Sequence, residues 1–252
     1  MSDSAPQKPS AGRRLNDDAL PGAENMARDE ALLELRESPT LRFYRWLRPT
    51  LSLGYFQAAA DLPLEDLRER GFDVVRRSTG GKAILHQHEL TYSLCLPETG
   101  VMSGGPAAAM TAIHVALGAE LERQAGQAIA MRDGARPQEP QSLLSDSPGS
   151  AWCFEDSSPL DLILDQRKLL GSAARRKHGW VLFHGSLVIQ RPDSNPGIAE
   201  LGFEPDQDAL TAALGKALGY EFQNADWSLE ERKASARIEQ QKYAAESFTM
   251  MR

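Results

Sequence analysis

Apolar positions change period along the chain, and each change marks an element. Ala23, Ala27, Ala31 and Leu35 recur at helical spacing, which predicts a helix ended by Pro39. LRFYRWL then alternates, with Leu41 and Phe43 on one side and Tyr44 and Trp46 on the other, as a strand does. PTLSLGYFQ reads as a second extended stretch closing at Gly54, and LPLEDLRERG as a short helix capped by Gly71. FDVVRRST is a strand candidate. ELTYSLCLP alternates again and puts Leu90, Tyr92, Leu94 and Leu96 on one face. Met110, Ile113, Leu117 and Leu121 form the stripe of an amphipathic helix. DLILD, KLLGSAARR and WVLFHGSLVI read as three strands, the turn DQRK joining the first two as a hairpin. Helices are predicted around Asp206 to Leu218 and Ser228 to Ala245. Strands and helices interleave without regular βαβ alternation, so the predicted class is α+β with a mixed or antiparallel sheet flanked by helices.

Two segments fall outside this pattern. Residues 1–20 open on the polar run MSDSAPQKPSAGRRLNDD, with no apolar stretch of a secretory signal, and are predicted to be a disordered leader. Residues 132–150 concentrate Pro, Ser and Asp and are predicted to form a mobile loop or lid. With 41% of its 252 residues hydrophobic, the chain can bury a sizeable core, in one large domain or two small ones. The net charge of −7 argues against nucleic acid as a partner, and no apolar run is long enough to span a bilayer. Two cysteines, Cys95 and Cys153, make no disulfide framework and suit a reducing, cytoplasmic setting.

The richest chemistry lies in RRSTGGKAILHQHELTYS, Arg76 to Ser93. A phosphate loop is excluded: Arg76 stands where its first glycine belongs, and Ala83 where Ser or Thr is required. A metal site is not expected, because His86, His88 and the cysteines lack zinc-ligand spacing. Gly80 and Gly81 have no Cβ, so backbone can approach a ligand there and donate N–H groups. Arg76, Arg77 and Lys82 add positive charge at one end. The stretch thus reads as an acyl or carboxylate site, or as a sheet-to-loop turn with solvated basic residues. His114, on an apolar helix stripe, reads as a core-edge histidine.

Cys153 directly follows the predicted loop, and Lys168 lies fifteen residues on, beyond the hairpin turn. A hairpin could return that ammonium to the cysteine, and a nearby cation favours the nucleophilic thiolate. Spacing alone favours the other reading, that Cys153 is a small buried hydrophobe, the usual fate of a free cysteine. Cys95, alternating within a strand, reads as core.

Taken together, several stretches resemble the lipoate–protein ligase A and octanoyltransferase family. RRSTGGKAILHQHELTYSL is similar to its signature loop, and LRFYRWLRPTLSLGYFQ to its N-terminal strand pair. ENMARDEALL resembles its first helix, and QRKLLGSAARRKHGWVLFHGSL its lysine-bearing hairpin. The likeness runs from Asn25 to Ile189, in order. It implies a biotin/lipoate protein ligase-type catalytic domain over residues 21–252, its motifs within about 38–225. CFEDSSPLDLI places Cys153 where the cysteine-dependent octanoyltransferases carry their acylated cysteine, with Lys168 at the matching lysine. Lys82 departs from the usual arginine, and Ala174 from the usual glutamine.

The resemblance implies an octanoyltransferase. Cys153 would take an octanoyl group from acyl carrier protein as a thioester. A lysine of a lipoyl-domain protein would then accept it, on a glycine-cleavage H protein or a 2-oxoacid dehydrogenase subunit. Lys168 would hold the thiolate and take the amine's proton. Substrate contacts would come from Arg76, Arg77, Thr79, Gly80, Gly81, Lys82, His86, Gly171 and Ser172, with Gly80, Gly81 and Gly171 as oxyanion candidates. Leu94 and Val75 are expected to wall the acyl slot, and Arg175, Arg176 and Lys177 to dock the acidic carrier. No cofactor or metal is expected, and the chain should act as a monomer. An ATP- and Mg-dependent lipoate ligase is the alternative, and a non-catalytic acyl-binding module a second.

Overall fold

A computed structural model describes residues 9–132, 151–153, 158–192 and 197–251. Eleven strands make two sheets among these residues. The strands are β1 (Ser10–Leu20), β2 (Thr40–Trp46), β3 (Thr50–Leu53), β4 (Asp73–Arg76), β5 (Ile84–His86) and β6 (His88–Pro97). They continue as β7 (Ile129–Met131), β8 (Leu162–Leu164), β9 (Arg167–Lys177), β10 (Trp180–Gln190) and β11 (Tyr220–Asn224). The larger sheet has the order β11-β1-β2-β6-β10-β9-β8-β7, and the smaller β4-β3-β5. β1 runs parallel to both β2 and β11, and β3 parallel to β4; the other pairs are antiparallel. The sheets are therefore mixed and flanked by helices, as the α+β reading required.

The period-2 pattern decides which face each strand shows its neighbours. Leu41 and Phe43 of β2 join Leu90, Tyr92, Leu94 and Leu96 of β6 in one core with Ile113, Leu117 and Leu121. Those last three lie on α3 (Pro106–Ala125), and α4 (Gln207–Leu218) closes the same core with Leu210 and Leu214. α1 (Gly22–Leu35) and α5 (Leu229–Ile238) cover the opposite face. There Cys95 packs with Leu15, Leu32, Leu33, Leu182 and Trp227. α2 (Leu64–Glu69) packs on the small sheet through Leu64 and Leu67.

The leader expected over residues 1–20 is overturned in its second half. Ser10–Leu20 is β1, wedged between β2 and β11. Its polar pattern misled because the charged side chains are paired: Arg13 with Glu231, Arg14 with Asp208, and Asp17 with Arg28 and Arg42. The short strands β5, β7 and β11 also went unread. The loop predicted over 132–150 lies, beyond Arg132, outside the described residues. Among the described residues, no helix is long and apolar enough to cross a membrane.

A charged network sits under the α1 face. Arg42, fully buried, donates to Asp17, Asp29 and Asn25. Burial works to raise the Asp29 carboxyl pKa, but Arg42, His184 and Ser93 outweigh it and hold it below the ordinary value.

Candidate active site

A cavity of about 510 Å³ opens where the two sheets meet. Ser52, Ile84 and His86 come from the small sheet, Tyr44, Trp46, Thr91, His184 and Ser186 from the large one, and Met26 from α1. Its reactive end holds Cys153, Asp161, Lys168, Gly171 and Ser172.

Lys168 reaches this point because of a tight hairpin. Asp165 and Gln166 both take positive φ, 49° and 60°, the backbone of a two-residue turn whose twist suits its strands. A register shift then interrupts the β8–β9 ladder, with Ile163 opposite Lys168 but Leu162 opposite Leu170. Such irregularities re-aim side chains. The Lys168 ammonium meets Asp161 Oδ2 at 2.8 Å, Cys153 O at 3.0 Å and Cys153 Sγ at 3.4 Å. Only 3% of Lys168 is exposed. Burial disfavours its charge, but the Cys153 sulfur and Asp161 prevail, and the pKa sits above the ordinary lysine value. Gly171 makes this possible, since a Cβ there would lie 2.7 Å from Lys168 Cε. Its part is to leave room for the lysine.

Cys153 is mounted on the signature loop. Its N–H donates to Ala83 O at 2.8 Å, and Ala83 N–H donates to Ala151 O at 3.0 Å. Arg77 shapes that loop from beneath. Its guanidinium, 2% exposed, donates to the carbonyls of Ser52, Gly80 and Lys82. Burial draws its pKa down to about 10, opposed by the nearby Cys153 sulfur and Tyr44, so it remains a cation at neutral pH. The close-approach glycines are Gly81 and Gly54. Gly81 has φ +94°, and a Cβ on Gly54 would stand 1.7 Å from Gly81 O. Gly80 has open space around it and needs no such freedom.

The far wall is aromatic. Trp46 stacks on His86 with ring centroids 3.9 Å apart. Its indole N–H donates to Thr91 at 2.9 Å and to Glu89 at 3.1 Å. His86 Nδ1 lies 2.5 Å from the Glu89 carboxylate, and its Nε2 lies 2.7 Å from Ser52 Oγ. His86 is thus locked by hydrogen bonds on both ring nitrogens.

Of the residues expected at the site, Cys153, Lys168, Arg77, Gly81, Lys82, His86, Gly171 and Ser172 line the cavity; Arg76, Thr79 and Gly80 do not. Arg76 instead donates to the carbonyls of Gly54, Tyr55, Gln57, Phe248 and Thr249, tying the C-terminal segment to the turn after β3. Thr79 Oγ1 lies 2.6 Å from His184 Nε2, behind the wall. Leu94 and Val75, expected as slot walls, lie in the cores; Met26, Tyr44, Trp46 and Ile84 take that place. The basic run is largely engaged within the chain: Arg175 donates to Ser78 O, and Arg176 pairs with Glu98. His114 is fully buried as expected, yet its Nε2 lies 2.7 Å from Ser172 Oγ. Its pKa is lowered, chiefly by burial. Sequence reading missed Asp161 and His184. The hairpin register could have found Asp161, which precedes β8 opposite the lysine strand. Alternation in β10 could have found His184.

An α+β domain of mixed sheets flanked by helices is the fold seen in solved lipoate–protein ligases. Lipoate-protein ligase A bound with ATP matches it with a TM-score of 0.74, 21% identity and coverage of 95% of this chain and 98% of that one. The bi-partite lipoate protein ligase of Thermoplasma acidophilum gives 0.72, 20% and 96% of each chain. At such identities the likeness shows the fold. The lipoyl protein ligase A/B catalytic domain matches residues 21–195, and the chain belongs to that family. Among its relatives, the octanoyltransferase LipM of Kyrpidia tusciae is 31% identical over 261 residues, 90% of this chain and 93% of that protein. LipM of Moorella thermoacetica is 43% identical over 171 residues, 66% of this chain and 60% of that protein. LipM of Brevibacillus brevis is 38% identical over 183 residues, 70% and 65% respectively. In the last two, the match spans less than two thirds of the relative's length.

Proposed function

We propose that this chain transfers an octanoyl group from acyl carrier protein to a lysine of a lipoyl-domain protein, through a thioester on Cys153. The observation that carries this is the Lys168 ammonium, buried 3.4 Å from Cys153 Sγ at one end of a partly apolar cavity. The relatives named octanoyltransferase LipM support the choice of acyl group.

Cys153 thiolate attacks the donor carbonyl. The C–S bond to the carrier breaks, the carrier leaves as thiolate, and Lys168 supplies its proton. Thioester exchange is nearly balanced, so neither ATP nor a metal is required. Acylation removes the sulfur's negative charge, and with it the first of the interactions that hold the Lys168 pKa up. Burial then counts for more, and Lys168 is the readier to be neutral. It accepts a proton from the acceptor amine as the amide forms, and Cys153 departs as thiolate, restoring the ion pair. The Gly81 N–H, on the loop lining the cavity, is our choice of oxyanion donor.

The test is intact-mass analysis after mixing with octanoyl-acyl carrier protein without ATP. One added octanoyl group, absent in Cys153→Ala, is expected. An adduct that persists in Cys153→Ala, or acyl transfer that proceeds only with ATP, would overturn the proposal.

A further inference from the structure

The short segment carrying Cys153 has a second anchor, outside the cavity. Gln57 follows the turn after β3, where its N–H donates to Gly54 O at 3.1 Å. Its side-chain amide then bridges two backbones. Nε2 donates to Ala151 O at 2.8 Å, and Oε1 accepts from Gly54 N–H at 3.3 Å. Each amide atom thus faces a backbone group of opposite kind, which fixes the orientation of the amide. Ala151 O also accepts from Ala83 N–H. Gln57 itself lines no part of the cavity, so it is placed to act on the nucleophile and not on substrate. Its own carbonyl is held by Arg76 Nη1 at 2.6 Å, which fixes the base of the bridge.

The geometry has a consequence for the cysteine. One residue, Trp152, separates Ala151 from Cys153, whose N–H is held by Ala83 O and whose sulfur meets Lys168 at 3.4 Å. The backbone oxygen of Cys153 is also bound to Lys168. Rotation or withdrawal of the Ala151 carbonyl would therefore move Sγ relative to Nζ while leaving the lysine, fixed by Asp161, in place.

We propose that Gln57 is a positioning residue, whose amide clamps Ala151 to the Gly54 turn and so sets the distance between Cys153 Sγ and Lys168 Nζ. The inference rests on Cys153 being the nucleophile, but its physical content is the coupling of that thiol to the ammonium, which can be read without any acyl donor.

Two variants test it. Gln57→Met keeps the length and removes both hydrogen bonds. Gln57→Glu turns an acceptor toward Ala151 O. Both are measured in the full chain for the rate of Cys153 alkylation by iodoacetamide against pH, the kcat and KM for a small octanoyl thioester, and Tm. Alkylation of Cys153 at neutral pH should slow in both variants, more in Gln57→Glu. The kcat should fall roughly tenfold or more, as for a reacting group displaced by a fraction of an ångström, with KM nearly unchanged. An unchanged alkylation profile in a folded variant overturns the proposal, and so does a raised KM at constant kcat, which would mean that Gln57 meets substrate. If one variant fails to fold, the other decides. If unmodified protein takes no acyl group on Cys153, the transferase reading fails, while the alkylation profile still decides the clamp.

Discussion

The two cysteines show how far placement decides chemistry. Cys95 sits in β6 with 1% of its surface exposed, among Leu15, Leu32, Leu33, Leu182 and Trp227. Burial, reinforced by Asp29, raises its pKa against weaker opposition from Arg13 and Arg36, so it stays a thiol. Cys153 is half-buried on the cavity wall, with a lysine ammonium 3.4 Å from its sulfur. One is shut among hydrocarbon and the other faces a cation and an open cavity. A thiol becomes a nucleophile through such surroundings, not through its residue type.

The sharpest break between the two sites is at the sulfur itself. Cys153→Ser should lower octanoyl transfer by roughly 10³-fold or more, because an alkoxide forms far less readily than a thiolate. Turnover and intact mass both read this, and transfer that survives the change would erase the distinction. Lys168→Met comes next. It removes the cation while keeping an apolar stem, and should cost about 10²–10⁴-fold in kcat, the usual range for a lost proton-transfer group. Alkylation of Cys153 at neutral pH should slow as well, while Cys95 remains unreactive. Gly171→Ala should have a smaller effect, about tenfold in kcat, since its Cβ would crowd Lys168 Cε at 2.7 Å. Normal alkylation kinetics in Gly171→Ala would show that the lysine has room to yield.

The smallest effects belong to Cys95. Cys95→Ala should leave turnover within about twofold and cost about 1 kcal/mol of stability at neutral pH. The alkaline limb gives a further distinction. Cys95 has its folded pKa raised above the ordinary 9.0, so the unfolded chain releases this proton first. Stability should therefore be complete below about pH 9 and fall as pH rises. Lys168, also raised, adds the same sign of loss only above its ordinary 10.5. Thermal unfolding from pH 8 to 10 should show the first decline in the parent protein and a flatter curve in Cys95→Ala. An identical slope in both would mean that Cys95 is not held as the thiol.

Much of this protein follows from sequence alone. The alternations in β2 and β6 and the stripe on α3 gave the main core, because a side chain's face depends only on period. The turn DQRK placed Lys168 on a hairpin, because two residues with positive φ can reverse the chain locally. The glycine loop and Cys153 were legible as chemistry, the latter through family likeness. Tertiary structure decided what spacing could not. β1 became a strand because distant residues, Glu231 and Asp208 among them, neutralise its arginines. Arg76 became a backbone tie through Phe248 and Thr249, some 170 residues away in the chain. The cavity wall passed from Leu94 and Val75 to Met26, Tyr44, Trp46 and Ile84 because two sheets meet there. Local pattern fixes which way a side chain points from its own element; only the packing of elements fixes what it then meets.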